Sequence, residues 1–155
     1  MTRGFLLGKF MPPHDGHLML CEFARAYCDE LTILVCTREI EPIDGMLRSA
    51  WMRELCPWAR IVHFDRDVPQ EPSEHPDFWN IWRDIAKTAH PEPIDFVFAS
   101  EEYGRRLASE VGAKFVPYDP SRAAAPISAS QIRAAPFKYW EFLPAPVRAY
   151  YARTV

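Results

Sequence analysis

Glycine is scarce in this chain, which has only six glycines among 155 residues. Neither common glycine-rich phosphate pattern is present, because no GxxxxGK[ST] occurs and no GxGxxG follows the first apolar segment. The chain also has no CxxC pair. Its four cysteines stand singly in apolar surroundings, so we expect buried free thiols and a reducing compartment; they are Cys21, Cys28, Cys36 and Cys56.

Positive charge and long hydrophobic runs are lacking as well. The 18 basic residues are outnumbered by 21 acidic ones, so the chain lacks the positive field that nucleic-acid binding usually needs, and we expect no nucleic-acid partner. No apolar run approaches about 18 residues, and Pro12 and His14 interrupt the N-terminal segment too soon for a signal peptide. We therefore expect a cytoplasmic protein without a membrane partner, folded as a single domain over residues 1–155.

Buried-strand patterns alternate with helical patterns along the chain. Predicted strands cover residues 4–10, 31–37, 59–64, 94–99 and 113–117, and predicted helices cover residues 16–30, 46–55, 77–89, 101–111, 128–134 and 144–153. Segments 65–76 and 118–126 are predicted loops. This order predicts an α/β fold, namely a Rossmann-like, doubly wound sheet of five parallel strands with additional C-terminal helices.

The segment GKFMPPHDGH, residues 8–17, lies between the first predicted strand and the first predicted helix. Parallel sheets bind ligands at the carboxyl ends of their strands, and the first strand usually borders that place. The residues alone leave three interpretations of His14 and His17: incidental loop residues, two ligands of a zinc site, or donors to a phosphate together with Lys9.

Two motifs in this order resemble those of the nucleotidylyltransferase superfamily. Segment 8–17 is similar to its GxFxPxHxGH signature, matched at Gly8, Phe10, Pro12, His14, Gly16 and His17. About 110 residues later, ISASQIR resembles its ISxTxIR motif, with Ser130 where Thr is usual. The C-terminal sequence from residue 127 to residue 151 also resembles the end of the nicotinamide-nucleotide adenylyltransferase domain of NadR-type proteins.

The resemblance implies transfer of a nucleotide's α-phosphoryl group to a phosphorylated acceptor, with release of pyrophosphate. It implies catalytic roles for His14, His17, Lys9 and Arg133. It implies ATP and phosphate contacts for Gly8, Phe10, Gly16, Ser128, Ser130 and Arg48. From the residues alone, Ser128 can instead be a plain helix cap, and Arg48 a surface arginine. No paired carboxylates suggest a metal site, so we expect Mg²⁺ to arrive with ATP and predict no metal ligands from the protein.

The acceptor depends on a different segment, the aromatic run DFWNIW at residues 77–82. The cationic nicotinamide ring stacks well on Trp, which favours ATP and nicotinamide mononucleotide as substrates; the alternative is a buried helix stripe. Candidate acceptor contacts are Trp79, Trp82, Ser100, Tyr103 and Tyr118.

The predicted function is therefore nicotinamide-nucleotide adenylyl transfer. The alternatives are adenylyl or cytidylyl transfer to another acceptor, such as phosphopantetheine or a polyol phosphate, and a non-catalytic NAD- or ATP-sensing domain. A homo-oligomer is left open. NadR-type proteins commonly add a P-loop riboside kinase and some add a DNA-binding domain; this chain has neither pattern, so we expect neither activity.

Overall fold

The computed structural model describes residues 1–119 and 126–153. Five strands form one parallel sheet in the order β3-β2-β1-β4-β5, which confirms the predicted fold class. They are β1 (Arg3–Gly8), β2 (Glu30–Thr37), β3 (Arg60–Asp65), β4 (Phe96–Ala99) and β5 (Lys114–Pro117). β1 is central and pairs with β2 on one side and β4 on the other, so the strand order reverses between β1 and β4.

Within the described residues, six α-helices and two short 3₁₀ helices accompany the sheet. The α-helices are α1 (Asp15–Tyr27), α2 (Gly45–Leu55), α3 (Phe78–Ala89), α4 (Tyr103–Val111), α5 (Ala129–Ala134) and α6 (Ala145–Arg153); the 3₁₀ helices are Pro72–Glu74 and Trp140–Phe142. None of the helices in the described ranges is long and apolar enough to cross a membrane.

Helices cover both faces of the sheet, and successive residues of a strand point to opposite faces. Phe5 packs with buried residues of α3 and α4, such as Trp82 and Leu107, on one face. Its neighbour Leu6 packs with residues of α1 and α2, such as Cys21, on the other face. This two-sided burial explains why the central strands are almost continuously apolar.

Most predicted element ends differ from the structure by one to three residues, and one short helix lies in a predicted loop. β1 ends at Gly8 rather than at residue 10, because Phe10 has a left-handed φ of 48° that ends the extended backbone. α1 ends at Tyr27 rather than at residue 30, because Glu30 pairs with Arg3 as the first residue of β2. The 3₁₀ helix Pro72–Glu74 lies inside the predicted loop 65–76. Residues 120–125 of the predicted loop 118–126 lie outside the described residues.

Candidate active site

A cavity of about 510 Å³ opens at the carboxyl ends of β1 and β4, where the strand order reverses. Its volume is typical of a small-molecule site. Most of its wall comes from β1 with the turn after it and the start of α1, from the residues between β4 and the middle of α4, and from residues 70–82. The predicted site residues in this wall are Gly8, Lys9, Phe10, His14, Gly16, His17, Trp79, Trp82, Ser100, Tyr103 and Tyr118.

The N-terminus of α1 orients both histidines. His14 is the N-cap residue, and its Nδ1 accepts a hydrogen bond from the backbone N–H of Gly16 at 3.0 Å. The Nδ1 of His17 accepts the backbone N–H of His14 at 3.2 Å. The two rings stack with their centroids 3.8 Å apart. Because each Nδ1 is an acceptor here, each neutral imidazole carries its proton on Nε2.

Phe10 packs against this histidine pair and explains the glycine two residues before it. Its ring lies edge-on to the ring of His17, with centroids 4.9 Å apart. A Cβ added to Gly8 would lie 3.2 Å from the Phe10 ring, which is tighter than ordinary van der Waals contact. The left-handed φ of Phe10 is a strained conformation for a non-glycine residue, and such strain is concentrated at functional sites. Gly8 and Phe10 therefore shape the turn that carries the histidines.

A buried carboxylate, that of Glu41, binds two cations beside the cavity. Its Oε2 accepts a hydrogen bond from Nζ of Lys9. Its Oε1 accepts from Nη2 of Arg48 at 2.9 Å and from the backbone N–H of Arg38 at 2.8 Å. Burial by itself raises the pKa of Glu41, but the hydrogen bonds from Lys9, Arg48 and the Arg38 N–H outweigh burial and hold that pKa below its usual value. Glu41 is therefore ionised at neutral pH.

Arg48 is not where the sequence analysis expects it. Its side chain is fully buried, so the interpretation as a surface arginine is wrong. It is also absent from the cavity wall, because its Nη1 donates to the backbone oxygen of Lys9 at 3.0 Å and its Nη2 donates to Glu41. It lies beneath the first motif, where it supports the turn, and its predicted phosphate contact stays a prediction.

Glu41 is a residue that the sequence analysis does not identify. No motif surrounds it, and it lies in the loop between β2 and α2. One signal was available: the loop follows the carboxyl end of a central parallel strand, and this edge of the sheet is the one that holds ligands.

The second motif returns to the same edge of the sheet, as predicted. Ile127 belongs to the cavity wall. Nη1 of Arg133 donates to the backbone oxygen of Met11 in the first motif at 2.5 Å, and Nη2 donates to Oγ of Ser130 at 3.4 Å. Ser128, Ser130 and Arg133 are themselves not part of the wall, so their phosphate contacts stay a prediction.

Ser128 caps α5, as its position predicts. Its Oγ accepts the backbone N–H of Gln131 at 3.2 Å, and its own N–H donates to Oε1 of Gln131 at 2.9 Å. The N–H of Ser128 is bound to Gln131, and the phosphate contact of Ser128 stays a prediction. Its hydroxyl proton remains able to donate, since the cap uses the oxygen as an acceptor.

Aromatic side chains line the cavity opposite the histidines. Trp79 is half-buried, and the guanidinium of Arg106 lies 5.2 Å from its ring centroid. Trp82 is buried, and its Nε1 donates to the backbone oxygen of Pro69 at 2.9 Å. The buried stripe and the cavity wall therefore share Trp82. Trp79 is the more accessible of the two tryptophans.

Tyr103 connects the turn after β4 with β1. Its hydroxyl donates to the backbone oxygen of Leu7 at 3.3 Å. Burial of the hydroxyl, together with the negative charge of Glu101, raises the pKa of Tyr103 well above its usual value. The phenol is therefore neutral at physiological pH and can act only as a neutral hydrogen-bonding group.

The fold and this site define a class of protein. The model of the cytidylyltransferase-like family matches residues 5–135, and the chain belongs to this family. It is 28% identical over 170 residues to the trifunctional NAD biosynthesis/regulator protein NadR of Escherichia coli (strain K12), which covers 99% of this chain and 42% of that protein. The chain thus spans less than half the length of this relative.

A second relative is closer in length. The chain is 27% identical over 112 residues to the nicotinamide-nucleotide adenylyltransferase of Methanoculleus marisnigri, covering 72% of this chain and 66% of that enzyme. A crystal structure of NadR protein in complex with NAD and AMP-PNP matches with a TM-score of 0.70 and 19% identity, over 92% of this chain and 44% of that one. At this identity the structural likeness shows the fold.

Proposed function

We propose that this chain is a nicotinamide-nucleotide adenylyltransferase, which uses ATP and nicotinamide mononucleotide to make NAD⁺ and pyrophosphate. The observation that carries the proposal is the stacked pair of His14 and His17, with both Nδ1 atoms held by backbone N–H groups at the cavity. The family supports nucleotidyl transfer, and the names of the relatives support the nicotinamide nucleotide as acceptor.

The proposed reaction needs positioned donors and no nucleophile from the protein. A phosphate oxygen of nicotinamide mononucleotide bonds to the α-phosphorus of ATP, and the bond from that phosphorus to the oxygen bridging to the β-phosphorus breaks. Negative charge grows on the transferred group and on the leaving pyrophosphate. The Nε2–H groups of His14 and His17 stabilise the first charge, and the ammonium of Lys9 stabilises the second.

Mg²⁺ is proposed to enter with ATP and to be held by phosphate oxygens and water. The described residues contain no group of three or more His, Cys, Asp or Glu side chains that could hold a metal ion. The donors around His14 are N–H groups, which suit phosphate oxygens and not a cation. When bound with ATP, Mg²⁺ neutralises phosphate charge.

The aromatic wall supports nicotinamide mononucleotide as the acceptor. Trp79, Tyr103 and Tyr118 line one cavity together with the carboxylates of Glu71 and Glu101. Aromatic faces and negative charge both favour a flat cationic ring. A polyol phosphate has no ring and no positive charge and would gain neither interaction, and phosphopantetheine has no cationic ring.

The test is synthesis of NAD⁺ by the purified protein from ATP, nicotinamide mononucleotide and Mg²⁺. NAD⁺ is measured by reduction with alcohol dehydrogenase. We expect turnover that depends on both substrates. In parallel, pyrophosphate release is measured with ATP or CTP and with phosphopantetheine, FMN or glycerol phosphate as acceptor. A folded protein that releases pyrophosphate only with another acceptor would overturn the proposal that nicotinamide mononucleotide is the acceptor. A folded protein that binds ATP without turnover would support the alternative of a nucleotide-sensing domain.

A further inference from the structure

Glu41 is buried to an unusual degree for a carboxylate in a loop. Its side chain is 5% exposed, and Arg48, which it contacts, is 0% exposed. Burying a charge is costly, and a buried ion pair often stabilises a fold no better than apolar residues of the same volume. Stability alone is therefore a weak explanation for this arrangement. Its place beside the cavity suggests a role in the site.

The exposed fraction of the three charged side chains increases from the interior toward the cavity. Arg48 is fully buried, Glu41 is nearly so, and the side chain of Lys9 is 41% exposed and lines the cavity. Two cations share one carboxylate, so the cluster is positive overall. Lys9 is its most exposed member, and its ammonium is the part of this positive charge that a ligand in the cavity can reach.

Lys9 is also held at both its backbone oxygen and its ammonium. Nη1 of Arg48 donates to the backbone oxygen of Lys9 at 3.0 Å, while Oε2 of Glu41 accepts from its ammonium. Within the residues described, Nε of Arg48 has no hydrogen-bond partner, so the guanidinium is compensated mainly through Glu41 and this carbonyl. Removing Glu41 would therefore release the ammonium.

A lysine side chain is flexible, and ordering it costs conformational entropy. An ammonium has three N–H donors, so a contact with Glu41 leaves donors for an anionic ligand. We propose that Glu41 is a positioning residue of the adenylyl transfer: it orders Lys9 before ATP binds and aims the ammonium at the triphosphate. This inference rests on the proposed function and deepens it.

The experiment is a double-mutant cycle between Glu41 and Lys9, measured as kcat/KM for ATP. Glu41→Gln is expected to lower kcat/KM about 10- to 100-fold, the loss expected when a reacting group is displaced by about 1 Å. In a Lys9→Met background, the same substitution is expected to change kcat/KM less than about twofold, because its effect passes through Lys9. Glu39→Gln is the matched control, because Glu39 is exposed on the same loop and loses the same charge.

Two results would overturn the proposal. One is a Glu41→Gln protein with the kcat/KM of the parent. The other is an equal loss in the presence and absence of Lys9, which is what a purely structural role predicts. Thermal unfolding of every variant is measured beside the rate. If Glu41→Gln does not fold, Glu41→Asp keeps the charge that Arg48 requires but shortens the side chain, and the same cycle is run with it.

The parent protein separates this proposal from the proposed function. A parent that makes no NAD⁺ contradicts the function, and the cycle is then measured as ATP affinity by calorimetry. Coupling between Glu41 and Lys9 in that affinity would still support the positioning role, and additive losses would refute it.

Discussion

His17 has two tasks in the structure, and two substitutions separate them. Its Nδ1 caps α1 by accepting the N–H of His14 at 3.2 Å, and its Nε2 is the donor that we assign to the α-phosphoryl group. An asparagine places its amide oxygen near the position of Nδ1 and has no atom at Nε2. An alanine has neither the acceptor nor the donor. His17→Asn thus loses the donor alone, and His17→Ala loses both the donor and the cap.

The expected effects on stability and rate differ between the two variants. Both variants lose the ring contacts to His14 at 3.8 Å and to Phe10 at 4.9 Å, so this loss cancels when they are compared. Loss of the cap costs about 1 kcal/mol, which for a chain of this size lowers Tm by about 2–4 °C. Loss of one oriented donor lowers kcat by about 10²–10³. His17→Ala should therefore be the less stable protein, and both variants should be slower than the parent by a similar factor.

The assay is NAD⁺ formation at saturating substrates, with calorimetric unfolding of the same preparations. His14→Asn is not a suitable control, because His14 is the cap residue itself. Glu22→Gln is suitable, because Glu22 is an exposed residue on the same helix and does not line the cavity. If His17→Asn were as fast as the parent, Nε2 of His17 could not be the donor, and the mechanism would be wrong.

Three further predictions concern other residues. Trp79→Ala should raise KM for nicotinamide mononucleotide roughly 2- to 30-fold, which is the value of a cation–π contact, and Trp79→Phe should recover part of the loss. An unchanged KM would show that Trp79 is not part of the acceptor site. Burial raises the pKa of Cys36 to about 12, so at pH 8 the thiolate form of Cys36 is on the order of 10⁻⁴ of the population. Iodoacetamide should therefore label the half-buried Cys28 before Cys36, which peptide mass mapping would detect. Because the pKa of Glu41 is lowered in the folded state, its stabilising effect is present above its ordinary pKa of 4.5 and lost as pH falls through the folded value. The Tm difference between the parent and Glu41→Gln should therefore shrink below about pH 4.5, and a constant difference would contradict the ion-paired state.

Much of the fold could be predicted from local patterns. The apolar run 31–37 differs from the observed β2 by one residue, because a strand buried on both faces is apolar at nearly every position. The helical spacing of Phe78, Trp82 and Ile85 predicts a buried stripe, and all three are 8% exposed. The end of β1 could not be predicted in this way. Phe10 adopts a left-handed φ because its ring fits between Gly8 and His17, which is a property of packing.

The class of fold and the two motifs can be read from the amino-acid sequence, because periodicity and short motifs are local properties of the chain. The roles of the charged side chains depend on tertiary contacts. Arg133 meets the carbonyl of Met11 across 122 positions of sequence, and Lys9 and Arg48 meet at Glu41 across 32 and 7 positions. Whether an arginine binds a phosphate or a buried carboxylate depends on which strand ends lie side by side. That arrangement is set by the order of the strands in the sheet, and no local pattern contains it.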